Sequence, residues 1–359
     1  MSNPAHAMQQ MAQQAAAALL RLLDAIPVIE VKAVQHAPDG DPSNADILLQ
    51  LKAAGKGHGL IGVVKLSGQP RHVRHAIMQL QAALGATPKA ATGVFFAPYL
   101  TPAARAMCRD SGVGYLDMEG NAWLAFGGIY IERHMPGKPL LERRELRSLF
   151  SPKSSRVLRA LLAQPERSWR VAELAATSGV SLGHVSNVRS GLLDREWASI
   201  TGDGLVLETP HALLDAWQHS YQQGVERRHF YTALHGSALD DAARRILSTN
   251  DSDGRAAFSS FSAAQWLSPY ARTGLHYFYA DEDGMNKLIS GLKLSPVSAG
   301  ENIVITLPKD ESVLLDTVEP APGAICTSAV QTYLDLSVAG ERGKEAALHL
   351  RQELLAWPA

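Results

Sequence analysis

Apolar residues recur along the chain with two periods, and the changes between them predict its elements. Ala15–Leu23 is an alanine- and leucine-rich amphipathic helix. Runs with strand character follow at Val28–Val34, Ile47–Leu51 and Leu60–Leu66. Helical spacing returns over Pro70–Leu84, with Val73, Ile77 and Leu80 on one face and Arg71, Arg74 and His75 turned elsewhere. A strand at Thr92–Phe96, a helix near Pro102–Asp110 and two short strands around Tyr115–Leu116 and Ala122–Glu132 complete this stretch. Strands interleaved with covering helices predict an α/β domain over residues 1–141. Residues 142–222 read as helices closed by a hairpin. Residues 223–359 alternate helices with short strands such as Ile303–Thr306, an α+β pattern. The chain is thus a multidomain α/β protein.

The middle segment has the sharpest local signal. Val171, Leu174 and Ala175 form the inner face of one helix, and Gly179 stands where that helix must stop, since a left-handed turn costs glycine little. Ser181 is placed to cap the next helix, along which Val185, Val188 and Leu192 face a core. Ala175, Gly179 and Val185 together match the helix-turn-helix spacing. Ile200-Thr201-Gly202-Asp203-Gly204-Leu205-Val206-Leu207 then supplies a hairpin, as a wing requires. A winged helix-turn-helix leaves Ser181, Leu182, Gly183, His184, Ser186, Asn187, Arg189 and Ser190 outward. Several of these are residue types that read base edges in the major groove. Lys153, Arg156 and Arg170 are the candidate phosphate contacts.

Charge agrees with this placement. The formal net charge is only -1 over 359 residues. Between Arg143 and Arg195, however, ten basic residues stand against four acidic ones, a local excess of six. Phosphate neutralisation needs such a concentration. Composition adds exclusions: 46% hydrophobic and 19% charged residues supply packed cores, with disorder expected only in the first dozen positions. Cys108 and Cys326 lie too far apart for a disulfide framework or a cysteine metal site. With no membrane-length apolar run and no basic leader, the chain reads as cytoplasmic, with no cofactor.

The first domain raises a different chemistry. Asp46 stands at the second strand and Lys65 at the third, in the order of the carboxylate and lysine that hold Mg²⁺ in restriction-endonuclease-like nucleases. The helix, three strands, helix and strand resemble that fold. The acid position two before Lys65 is Val63, which cannot ligate magnesium, so Asp46 and Lys65 are vestigial candidates and no metal site is expected. Glu30 or Glu132 would have to supply the missing acid. Asp117-Met118-Glu119-Gly120-Asn121 reads as a turn between strands and His134 as a structural histidine.

Most of the length also resembles the AbiEi family of type IV antitoxins. The resemblance rests on Gly112-Val113-Gly114-Tyr115-Leu116-Asp117 followed by Gly120-Asn121-Ala122-Trp123-Leu124. It continues in Ala263-Ala264 with Ser268-Pro269-Tyr270, in Gln331-Thr332-Tyr333-Leu334-Asp335-Leu336, and in Gly340-Glu341-Arg342-Gly343-Lys344-Glu345-Ala346-Ala347. It implies an autoregulatory transcriptional regulator whose winged helix binds inverted repeats in its own promoter. Its C-terminal region would act against a nucleotidyltransferase toxin, and inverted repeats imply a homodimer or paired monomers on double-stranded DNA. The usual family layout begins with the winged helix, whereas here a nuclease-like domain precedes it.

Three functions compete on this basis. The first is a non-enzymatic regulator. The second is a Mg²⁺-dependent DNA endonuclease targeted by its winged helix, against which Val63 speaks. The third is a module that holds a partner protein and does not bind DNA. In the last segment, Leu334, Leu336, Ala346, Leu350 and Leu354 are expected in the core, and Tyr270, Tyr277, Phe278 and Tyr279 as buried strand aromatics.

Overall fold

A computed structural model of the chain describes residues 4–36, 45–86, 90–137, 139–222, 225–249, 254–270, 273–309 and 311–358. It divides into two units, Met1–Glu145 with Gly191–Glu196, and Leu146–Ser190 with Trp197–Ala359.

In the first unit, α1 (Pro4–Asp24) precedes β1 (Ile29–His36), β2 (Ile47–Ala53) and β3 (Lys56–Val64). Then come α2 (Pro70–Gly85), β4 (Ala91–Ala97), α3 (Pro102–Asp110), β5 (Gly114–Asp117), β6 (Ala122–Phe126) and β7 (Ile129–Arg133). The strands form one sheet in the order β1-β2-β3-β4-β5-β6-β7. Pairing is antiparallel from β1 to β3, parallel from β3 to β5 across the two helical crossovers, and antiparallel again to β7. A sheet with helices on both faces has central strands buried on both sides. The unbroken apolar run Val94-Phe95-Phe96-Ala97 of β4 is the result. One face packs Ile47, Leu49, Leu51 and Phe96 on Leu19 and Leu23 of α1. The other packs Ile61, Val63 and Phe95 on Val73, Ile77 and Leu80 of α2.

Two expectations change here. Residues 4–12 are helical rather than disordered, because Met11, four residues before Ala15 on the same face, is buried with it. The single strand read across Ala122–Glu132 is a hairpin, β6 and β7, turning at Gly127-Gly128 with φ of 54° and 81°. That left-handed pair is the favoured two-residue hairpin turn.

Helix α4 (Leu140–Leu149) crosses the division between units. The second unit holds α5 (Pro152–Ala163), α6 (Val171–Ser178) and α7 (Leu182–Asp194), whose last residues go with the first unit. The hairpin of β8 (Ala198–Thr201) and β9 (Gly204–Leu207) and then α8 (Pro210–Ser220) follow. The rest comprises β10 (Val225–Tyr231), α9 (Ser237–Leu247), β11 (Ala256–Phe258), α10 (Ser260–Leu267), β12 (His276–Ala280) and α11 (Glu282–Gly291). It ends with β13 (Ser295–Pro296), β14 (Ile303–Pro308), a 3₁₀ turn (Glu311–Leu314), β15 (Thr317–Val318), β16 (Cys326–Thr327), α12 (Ala329–Ser337) and α13 (Gly340–Leu354). The larger sheet is mixed, in the order β13-β10-β14-β12-β11-β16-β15. Its core gathers Phe230, Phe258, Phe278, Ile303 and Ile305 beneath Leu239, Leu247 and Leu288.

Polar and ring contacts tie the helices before residue 222 to one another, to the 3₁₀ turn and its following residues, and to α13. Arg159 of α5 is 4% exposed; its Nη2 donates to Ser312 Oγ at 2.6 Å and its Nε lies 3.1 Å from Asp316 Oδ2. Arg351 of α13 pairs with Asp215 of α8, and Phe150 stacks on Trp217 at 5.8 Å. Leu334, Leu336, Ala346 and Leu350 are buried as expected, but Leu354 is exposed in the last turn of α13. Phe278 and Tyr279 are buried strand aromatics and Tyr277 is half-buried. Tyr270 is neither in a strand nor buried: it lies past the end of α10 with its ring 5.1 Å from His349.

Candidate nucleic-acid interface

The turn between α6 and α7 is built by Gly179, at φ 64° and ψ 35°, whose N–H returns to Ala175 O. A Cβ there would meet nothing within 4 Å, so backbone conformation alone selects glycine. Val180 N–H also reaches Ala175 O at 3.2 Å, and Ser181 Oγ accepts the His184 N–H at 3.3 Å. Along α7, Val185, Val188 and Leu192 are buried. Ser181, Leu182, Gly183, Ser186, Asn187 and Ser190 are exposed and Arg189 is half-exposed.

The hairpin gains a third member by backbone pairing. Trp169 N–H donates to Leu205 O at 2.8 Å and Leu205 N–H to Trp169 O at 2.9 Å. This holds the residues before α6 against β9. Trp169, Arg170, Val171, Arg189 and the hairpin tip, Ile200 to Leu205, line one cavity of about 240 Å³. Arg170 and Arg189 therefore converge beside the tip. Arg167 does not join them: its guanidinium lies 3.9 Å over the Trp169 ring and pairs with Glu173.

Three residues sit differently from their sequence reading. His184 is half-buried with Nε2 3.1 Å from Ser154 Oγ, which also donates to Ser148 O, so its ring is held toward α5 rather than outward. Arg159 and Arg195, both counted in the basic excess, are buried. Arg159 faces Asp316, and Arg195 lies 3.3 Å from both Glu142 and Glu145. A buried, paired arginine lends little to a surface potential. The accessible excess comes from others: Lys153 and Arg170 are exposed and Arg156 is half-buried. The hairpin tip, with exposed Ile200, Thr201, Gly202 and Asp203, was missed as part of the candidate face. Its signal was the Gly-Asp-Gly turn beside Arg170 in the fold.

In the first unit, Asp46 precedes β2 and accepts the Val64 N–H at 2.6 Å, while Lys65 follows β3 half-exposed with its N–H on Phe96 O. Val63 is packed among Ile61, Val73 and Phe95, so the acid position is apolar in its surroundings as well as in its side chain. Glu30 does not approach: it pairs with Lys52, whereas Ile47 beside Asp46 pairs with His36, about 20 Å away along the strand. Glu132 is taken by Arg109 and Tyr130 on β7. Arg74 is held bidentately by Glu196 at 2.7 and 2.8 Å, Arg71 lies 4.0 Å from Asp194, and His75 is exposed. The Asp117–Asn121 segment forms the turn between β5 and β6. Asp117 accepts from Asn121 N and Nδ2 at 2.8 Å each and from Leu100 N at 3.1 Å, and burial pushes its carboxyl up.

The Gln331–Leu336 motif lies inside the second unit. Asp335 Oδ1 accepts from Tyr221 Oη at 2.6 Å, Tyr279 Oη at 2.9 Å and Gln331 Nε2 at 3.1 Å. Burial pushes the Asp335 carboxyl up to about 6, and it pushes the Tyr221 phenol up as well. The motif is thus an internal polar knot joining the residue that ends α8 to β12 and α12.

No curated protein and no solved structure gives a significant match to the chain. Among the described residues no helix is long and apolar enough to cross a membrane. A family model does match, beginning in β9 and ending past α13, and it takes in every C-terminal motif that resembled AbiEi while leaving out α5 to α7. Residues 206–356 match the family described as transcriptional regulator, AbiEi antitoxin, type IV toxin–antitoxin system.

Proposed function

We propose that the protein is a sequence-specific DNA-binding regulator of the AbiEi antitoxin kind, with residues 148–214 acting as a winged helix-turn-helix. One observation carries this reading: the exposed polar face of α7 stands beside a cavity where Arg170 and Arg189 meet the hairpin tip. In such an arrangement Ser186, Asn187, Arg189 and Ser190 reach base edges in the major groove, and Lys153, Arg156 and Arg170 neutralise backbone phosphates. Ser181 and Gly183, in the first turn of α7, bring backbone N–H groups toward a phosphate. His184 orients α7 through Ser154 and reads no base. The first unit serves as an inactive restriction-endonuclease-like scaffold, an assignment supported by its element order and by apolar Val63.

The family description, a transcriptional regulator and antitoxin of a type IV system, supports the second half of the reading, and the inverted repeats and the toxin class come from the sequence resemblance. The protein represses its own promoter at inverted repeats, with two copies on the duplex, and residues 206–356 neutralise a nucleotidyltransferase toxin. Hydroxyl-radical footprinting of the DNA upstream of the gene tests the first part. The expected pattern is two protected half-sites related by a dyad, their centres about one helical turn, or a multiple of it, apart. An unprotected upstream region would overturn it.

A further inference from the structure

In the first unit, α3, β5 and the end of β7 surround a cavity of about 210 Å³ lined by Arg105, Arg109, Tyr115, Glu132, Arg133 and His134, with Pro102 at its rim. Arg105 is 7% exposed. Its Nη1 donates to Asn121 Oδ1 at 2.8 Å and lies 2.8 Å from His134 Nδ1. Asn121 in turn donates to the buried Asp117 carboxylate, so the guanidinium reaches a carboxylate only through an amide. Among the described residues no acceptor is bonded to Arg105 Nη2 or Nε, and neither atom is sealed in the interior. Glu132, the one acidic residue of the lining, is engaged by Arg109 at 3.3 Å and by Tyr130 Oη at 2.6 Å. Arg105 and Arg133 are thereby left as two cations with no direct carboxylate partner among the described residues.

Burying a guanidinium without an ionic partner is strongly disfavoured, and its planar fork matches a phosphate. Two positive charges without a directly bonded carboxylate match a dianion better than a monoanion. The cavity holds about seven water volumes, enough for a phosphate group with the esterified part outside. With Arg105 donating to Nδ1, His134 carries its proton on Nε2 as a further donor. We propose that this cavity binds a dianionic phosphate group, free or as a monoester, with Arg105 and Arg133 as its principal partners.

The test is isothermal titration calorimetry of the full chain with inorganic phosphate at fixed ionic strength. Acetate serves as the monoanion control and a nucleoside 5′-monophosphate as a second arm. Saturable one-to-one phosphate binding is expected, with acetate much weaker. Arg133→Gln, a surface change, should weaken phosphate binding about tenfold or more, as should Arg105→Lys if its melting profile stays native. Tighter binding of the nucleotide than of phosphate would identify a nucleotide as the source, and equal binding a free phosphate. The proposal is overturned by a lack of saturation, by acetate binding equally well, or by an Arg133→Gln protein that melts like the native one and binds phosphate unchanged. None of these readouts involves DNA, so they stand apart from the test of the DNA-binding reading.

Discussion

Replacing Gly183 by alanine separates stability from DNA binding at one atom. Gly183 is the second residue of α7, with no positive φ, and a Cβ built there meets nothing within 4 Å. In the free protein the substitution therefore removes only the conformational freedom that glycine loses on entering a helix. That is worth roughly 0.5–1 kcal/mol, and toward the lower end in a first turn. A two-state protein of 359 residues should melt about 1 °C higher as a result. On DNA the same methyl would stand where the first turn of α7 approaches the duplex. Losing one close contact there costs on the order of 1–3 kcal/mol, or tenfold and more in affinity. Differential scanning calorimetry and fluorescence anisotropy on one preparation measure both. A variant with a raised melting temperature and unchanged affinity would refute the placement of α7 on DNA. A lowered melting temperature would refute the argument from open space around Gly183.

Other substitutions address separate links of the account. Arg189→Ala should lose about 1–3 kcal/mol more on the upstream site than on scrambled DNA. Lys153→Ala should weaken both equally and lower the slope of log K against log salt by about 0.9, and anisotropy titrations from low to high salt read both effects. Gly179→Ala should cost roughly 1–2 kcal/mol in a urea melt, because the left-handed backbone there is strained for any Cβ and no side-chain clash adds to it. Asp335 has its folded pKa raised from 3.8 to about 6, so its contribution to stability is intact below the lower value and is lost as pH rises through the upper one. Asp335→Asn should therefore gain on the native protein by up to about 3 kcal/mol between pH 4 and 7, and a gap independent of pH would contradict this.

Legibility in the sequence followed the length of each signal. The turn at Gly179 and the buried row Val185, Val188 and Leu192 could be read because glycine and apolar spacing report directly on backbone and core. The Gly127-Gly128 hairpin carries an equally direct signal, but the apolar residues on both sides of it read as one continuous strand. The charge count went astray at Arg159 and Arg195, since composition does not separate a surface arginine from one buried against Asp316 or Glu142. The sheet of the second unit was illegible: β11, β13, β15 and β16 span two or three residues each, too short to show a period, and their order is set by long-range pairing. The cavity around Arg105 was hidden for the same reason, as its lining joins α3 to strands that follow it in the chain.

The central claim, that this protein recognises DNA through α7 and its hairpin without cutting it, is met most directly by anisotropy on the DNA upstream of the gene. Scrambled DNA of equal length is the comparison, with and without Mg²⁺ and with the DNA analysed afterwards. Tight, selective binding, indifferent to Mg²⁺ and leaving the duplex intact, is the expected result. Equal affinity for the two sequences, or cleaved DNA in the presence of Mg²⁺, would contradict it.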